Sequence, residues 1–171
     1  MILAKSALLE AIKNGDIKIE PFDESLVGPG SIDMHLGNLF RVFDQSAEPI
    51  KAIETVNATK ISRLQEVKSG EVFELEPAQT ILGVTVETIT LSDNMAGWIE
   101  GRSRFARIGL GVHITSGFIQ PGISNHQVLE ITNLGPNIIE LVPGVAVCQV
   151  IFERCEGRAK YGGIFSKQDA P

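Results

Sequence analysis

The 171-residue chain holds little of what usually betrays a function. Aromatic residues make up 6% of it, with one tryptophan and one tyrosine. Its two cysteines, Cys148 and Cys155, cannot form a disulfide framework. Those cysteines and the three histidines, His35, His113 and His126, fall in no zinc-ligand spacing, so no protein-held metal is expected. Fifteen basic against twenty-one acidic side chains give a net charge of −6. A duplex-binding surface needs a basic excess, so no nucleic-acid partner is expected. No apolar run is long enough to span a bilayer, and Met1 to Lys5 carries no signal-peptide core. The expectation is a cytoplasmic protein with no membrane partner. P-loop and dinucleotide glycine fingerprints are missing, as is a Gly-x-Ser-x-Gly nucleophile elbow.

What is present is a balanced globular composition, 43% hydrophobic and 21% charged, of a length that fits one domain over residues 1–171. Ser6 is placed to cap a helix running to about Lys13, with Leu8, Leu9 and Ile12 as its buried stripe and Asn14-Gly15 as its end. After that, strand patterns dominate: Ile17–Glu20, Leu39–Phe43, Val72–Leu75, Thr80–Leu91, Met95–Glu100, Gln127–Thr132, Asn137–Leu141 and Val145–Phe152. Residues 44–70 read as a loop with short strands. Gly28-Pro29-Gly30 and Pro143-Gly144 mark turns. Short strands between Gly/Pro turns behind one short N-terminal helix predict an all-β fold, a jelly-roll or β-barrel. The glycine-containing tail 157–171 is expected to be mobile.

Two stretches carry chemistry. Gly101-Arg102-Ser103-Arg104-Phe105-Ala106-Arg107 packs three arginines and a serine into six residues. A helical turn there places Ser103 and Arg107 on one face. Guanidinium forks and a hydroxyl suit phosphate oxygens, and the same turn reads as a solvated basic helix with intrachain salt bridges. Glu130, in Gln127–Thr132, shares a strand face with Val128 and Thr132, opposite Gln127, Leu129 and Ile131. A carboxylate among apolar neighbours is expected either to pair with a cation or to have a raised pKa, and both suit acid–base work. An ordinary surface glutamate fits the pattern too. In the last strand, Gln149 interrupts an apolar row of Val145, Val147 and Ile151, and a buried amide needs partners.

Gly-Arg-Ser-x-x-Ala-Arg-x-Gly-Leu, His113-x-Thr115, Gly-Phe-Ile-x-Pro-Gly and x-Leu-Glu-x-x-Asn occur in an order and spacing that resemble the dCTP deaminase branch of the dCTP deaminase/dUTPase superfamily. The resemblance extends over nearly the whole chain. It implies a distorted jelly-roll barrel of the dUTPase-like type and metal-independent deamination of dCTP to dUTP and ammonia. It assigns Glu130 as acid–base catalyst, with Ser103 and Arg107 steadying the water and the glutamate. Substrate contacts implied are Arg102, Ser103 and Arg104 facing the phosphates, backbone near Ile114 and Thr115 reading the base, and Phe105, Ala106, Arg107, Val128, Leu129 and Glu130. Gln120, Gln149, Tyr161 and Gln168 complete the set. Mg²⁺ is implied on the triphosphate and zinc is not, dUTP or dTTP are implied as further ligands, and a homotrimer with shared sites is implied. His113 is read as supporting, and Asp33, in Ser31–Gly37, as structural. The chain departs from the pattern at three places. Gln120 stands where an aspartate contacts the sugar and, in dUTPases and bifunctional members, orients the water that attacks the α-phosphate. Ser116 replaces a small alanine, and Ile164 stands where the tail carries glutamine. Alternatives are a dUTPase or bifunctional enzyme forming dUMP and pyrophosphate and, given these departures, a catalytically silent nucleotide-binding regulator.

Overall fold

The computed structural model describes residues 1–45, 48–54, 56–163, 165–166 and 168–171. Helix α1 (Lys5–Asn14) buries Leu8 and Ala11 outright, while Leu9 and Ile12 pack partly against the core. Ser6 does not cap it. The cap position is Ala4, which offers no side-chain bond; the Lys5 amide instead donates to the Pro29 carbonyl at 2.9 Å. A tertiary contact thus satisfies one of the free amides of the helix's first turn. Gly15 ends the helix in the left-handed conformation.

Twelve strands follow among the described residues: β1 (Ile17–Glu20), β2 (Ile32–His35), β3 (Leu39–Phe43), β4 (Ser62–Glu66), β5 (Phe73–Leu75), β6 (Thr80–Leu91), β7 (Met95–Gly101), β8 (Leu110–Val112), β9 (Phe118–Ile119), β10 (Ser124–Asn133), β11 (Ile139–Leu141) and β12 (Ala146–Arg154). A one-turn helix, α2 (Ser103–Ala106), sits between β7 and β8. One sheet runs β4-β3-β6-β10-β8, with β1 also paired to β6; a second runs β2-β12-β7-β9; β11 pairs β5. This is the expected mainly-β, jelly-roll-like class, but the sheets stay open and close no barrel.

A single core cluster takes inward side chains from both large sheets, Phe40, Ile81 and Leu129 from one and Ile32, Val150 and Phe152 from the other. Full burial of each such side chain stabilises the fold by about 1.5–3 kcal/mol. Strand β10 alternates as its sequence implies: Leu129 and Ile131 are buried, and Glu130 emerges on the opposite face. Strand β12 does not follow its sequence pattern. A bulge between Ala146 and Cys148 breaks the two-residue period, so Val147 and Cys148 are both buried. Gln149 therefore leaves the inner row and lies on the outer face, opposite Glu100 of β7 and Asp33 of β2. Burial pushes the Cys148 thiol up to about 12, with the charges of Glu87 and Asp33 adding and Arg102 opposing.

Candidate active site

The described site residues fall into two groups. The first surrounds Glu130. Strand β8 pairs with β10 through Val112 and Ile131, so the chain leaving β8 at His113 passes beside Glu130. The Thr115 amide donates to Oε2, and the Thr115 hydroxyl reaches Oε1 at 2.7 Å and Oε2 at 2.8 Å. Partial burial alone would push this carboxyl up. The Thr115 hydroxyl and amide, the nearby His113 ring and the Ser116 amide together outweigh it and hold the carboxyl below the ordinary range. Sequence reasoning expects either a cation or a raised pKa; the Thr115 hydroxyl and amide lead instead, ahead of the His113 ring. Thr115 was expected to read the base, and its grip on Glu130 was missed. The ring of His113 is 3% exposed, and its Nδ1 accepts the Glu130 amide at 2.9 Å. That bond needs a lone pair on Nδ1, so the neutral ring carries its proton on Nε2. This Nε2 lies 3.9 Å from Glu130 Oε2 and has no hydrogen-bond partner among the described residues.

The second group surrounds α2. Gly101 lies so close under the Val112 carbonyl that any side chain would collide with it. Past this pinch, the amides of Phe105 and Ala106 donate to the Arg102 carbonyl at 2.9 and 3.1 Å, closing the expected turn. Phe105 packs partly on the core, while Ser103, Arg104, Ala106 and Arg107 are exposed. Arg102 is committed within the chain: it pairs with Asp33 Oδ2 at 2.8 Å and donates to the Ala146 carbonyl. Asp33, expected to hold a turn or a partner chain, has this arginine as its partner. Gln149 accepts from the Ser31 hydroxyl at 2.7 Å and donates to the Gly101 carbonyl at 3.3 Å.

No hydrogen bond or ion pair among the described residues joins the two groups, and no arginine is among the groups that shift Glu130. Ser103 and Arg107 are therefore not brought onto Glu130 within one chain. Leu129 is fully buried, so its side chain is not available to a ligand, whereas Val128 is half-buried and Ile114 and Gln120 are exposed. The tail lies along the turn after Gln120. The Tyr161 amide donates to the Pro121 carbonyl at 2.9 Å, Asn125 Nδ2 to the Phe165 carbonyl at 2.8 Å, and Gln168 Nε2 to the His126 carbonyl at 3.4 Å. The tail departure at Ile164 lies outside the described residues.

A family model described as dCTP deaminase-like matches residues 2–155. The dCTP deaminase, dUMP-forming, of Streptomyces coelicolor is 36% identical over 178 residues, covering 100% of this chain and 93% of the relative. Its counterpart in Salinispora arenicola is 39% identical over 182 residues, covering 100% and 92%. Among solved structures, 2′-deoxycytidine 5′-triphosphate deaminase from Agrobacterium tumefaciens superposes with a TM-score of 0.69 at 20% identity over 91% of this chain. The chain spans 48% of that protein, and the likeness speaks for the fold alone. The family model's reach, the full-length relatives and the motifs around Arg102–Arg107 and Glu130 lead to one conclusion: this chain belongs to the dCTP deaminase-like family.

Proposed function

We propose that the chain deaminates dCTP by hydrolysis. The observation that carries this reading is Glu130, a carboxyl held in its ionised form chiefly by the Thr115 hydroxyl and amide, ready to accept a proton. Water adds to C4 of cytosine while Glu130 takes a proton from it. That proton passes to N3, where it stays; the new C4 hydroxyl then gives its own proton through Glu130 to the amine, which leaves as ammonia and yields dUTP. The exposed Arg104, Arg107 and Ser103 grip the triphosphate. Because they and Glu130 form separate groups in one chain, the complete site combines two copies, in keeping with a homotrimer. Mg²⁺ belongs to the substrate here, carried on the triphosphate oxygens.

The relatives at 35–39% identity are named for forming dUMP, which favours a second hydrolysis that releases pyrophosphate. Gln120 works against that step, since an amide cannot serve as a carboxylate base. We therefore read the whole reaction as dCTP to dUMP, with its second step slowed. The setting is pyrimidine deoxynucleotide metabolism in the cytoplasm, where the two free thiols would persist. Ammonia and pyrophosphate measured separately from dCTP and from dUTP test the reading. Ammonia from dCTP supports deamination, and pyrophosphate from dUTP supports the second step. Tight dCTP binding without either product makes the chain a silent regulator and overturns the proposal.

A further inference from the structure

We infer that Asn133 and Leu134 are positioning residues for the arginine turn, holding the chain after β10 against Gly109, where that turn ends. The inference rests on the proposed role of the turn in gripping the triphosphate. A single helical turn is too short to keep its own shape, and within α2 only Phe105 packs on the core. Its aim is therefore set by its two ends. The entry is Gly101, pinched under the Val112 carbonyl. At the exit, the Gly109 amide donates to the Ala106 carbonyl at 3.1 Å, and the Gly109 carbonyl accepts from the Leu134 amide at 2.7 Å. Gly109 is left-handed, with a φ of 87°, and a Cβ on it would stand 2.7 Å from the Gly135 nitrogen. Two glycine backbones thus meet directly, just past Arg107.

Asn133 holds the other half of this joint. Its side chain is fully buried and both ends of its amide are engaged. Nδ2 donates to the Leu75 carbonyl at 2.9 Å and to the Asn137 carbonyl at 2.7 Å, and Oδ1 accepts from the Gly135 amide at 2.9 Å. Carbonyls only accept, so the amide can take no other orientation here. The Asn133 backbone is tied as well, to the Gln79 carbonyl and the Ala78 amide. Asn133 ends β10, the strand that carries Glu130. The carboxylate's own strand therefore fixes the far end of the arginine turn in the same chain. Loss of the joint lets Gly109 shift, which weakens a multi-point grip on phosphates without touching the atoms that react.

The test is steady-state ammonia release from dCTP, with calorimetric binding of inorganic tripolyphosphate alongside. Leu134→Pro removes the amide that donates to Gly109. The Leu134 side chain is exposed, and the preceding Asn133 is a strand residue, the conformation that a following proline favours. The variant is expected to raise KM roughly three- to tenfold, the size of one lost hydrogen bond, and to weaken tripolyphosphate binding in step, with kcat unchanged. Leu134→Ala keeps the amide and should restore both. Asn133→Ala should act like the proline and also lower the urea midpoint, because it removes buried hydrogen bonds; should it fail to fold, Leu134→Pro decides alone. Combining the two should cost less than the sum of their separate KM effects, since both act through Gly109. Fully additive losses would overturn the joint. So would a lower urea midpoint with KM and tripolyphosphate affinity unmoved, or a fall in kcat at constant KM, which would place the effect on Glu130. If the wild type releases no ammonia but Leu134→Pro still weakens tripolyphosphate binding, the deaminase reading fails and the joint stands.

Discussion

The carboxylate group and the arginine group are built to opposite plans. Glu130 is saturated by its own chain: a hydroxyl and amides from Thr115 and Ser116 fix its rotamer and its charge. On α2, Arg104 and Arg107 extend from an exposed turn with no partner among the described residues, and only Arg102 is tied down, by Asp33. A base must already be aimed and ionised when the substrate arrives, so preorganisation favours it. An anion grip that was neutralised beforehand would have to break its own ion pairs first. The difference therefore predicts which variants lose chemistry and which lose binding.

The sharpest division comes from Glu130→Gln. It should lower ammonia release by about 10²–10⁴-fold, the usual worth of a general base, while calorimetry finds dCTP binding largely kept. Arg107→Ala should do the reverse, raising KM roughly 10–100-fold as a charge-assisted contact is lost. If each finished site draws on two copies, mixing these two impaired chains should restore, at dCTP well below the variant's KM, up to roughly a quarter of wild-type activity through sites that receive both intact halves. Mixtures that stay inactive would place both groups in one chain's site.

A smaller effect tests how the carboxylate is held. Its pKa is depressed, so it stays charged, and the base competent, until the pH falls below the ordinary carboxylate range. Thr115→Val deletes the strongest lowering influence, so the acid limb of kcat/KM should move to higher pH. The same sign governs stability: what the ionised carboxyl contributes is present above its unfolded pKa and is lost as pH falls through its folded one. An unmoved limb would show that the amides suffice. The smallest change is Asp33→Asn, in which a quarter-exposed pair loses its charge. It should cost about 1 kcal/mol or less in urea unfolding, and it frees Arg102 for the phosphates.

Sequence reasoning reached furthest where structure is local. Strands β3 and β6 begin and end where their alternation says, and the α2 turn and the outward aim of Glu130 follow from spacing alone. It fell short wherever a partner is distant in the chain. The Pro29 carbonyl in place of a Ser6 cap, the Asp33–Arg102 pair and the Thr115 grip on Glu130 each join separate elements, and no residue type announces them. Gln149 was misplaced for another reason. Period-two counting assumes an unbroken pleat, and the bulge at Ala146 and Cys148 adds a residue that shifts every later side chain to the other face.

With one thiol pushed up to about 12 inside the core and the other half-buried just past the end of β12, the two cysteines differ widely in nucleophilicity. A maleimide dye should therefore label Cys155 alone in the native protein. That sulfur stands where the tail departs, so the wild-type chain already offers one attachment point for a fluorophore that reports tail movement when dCTP is added.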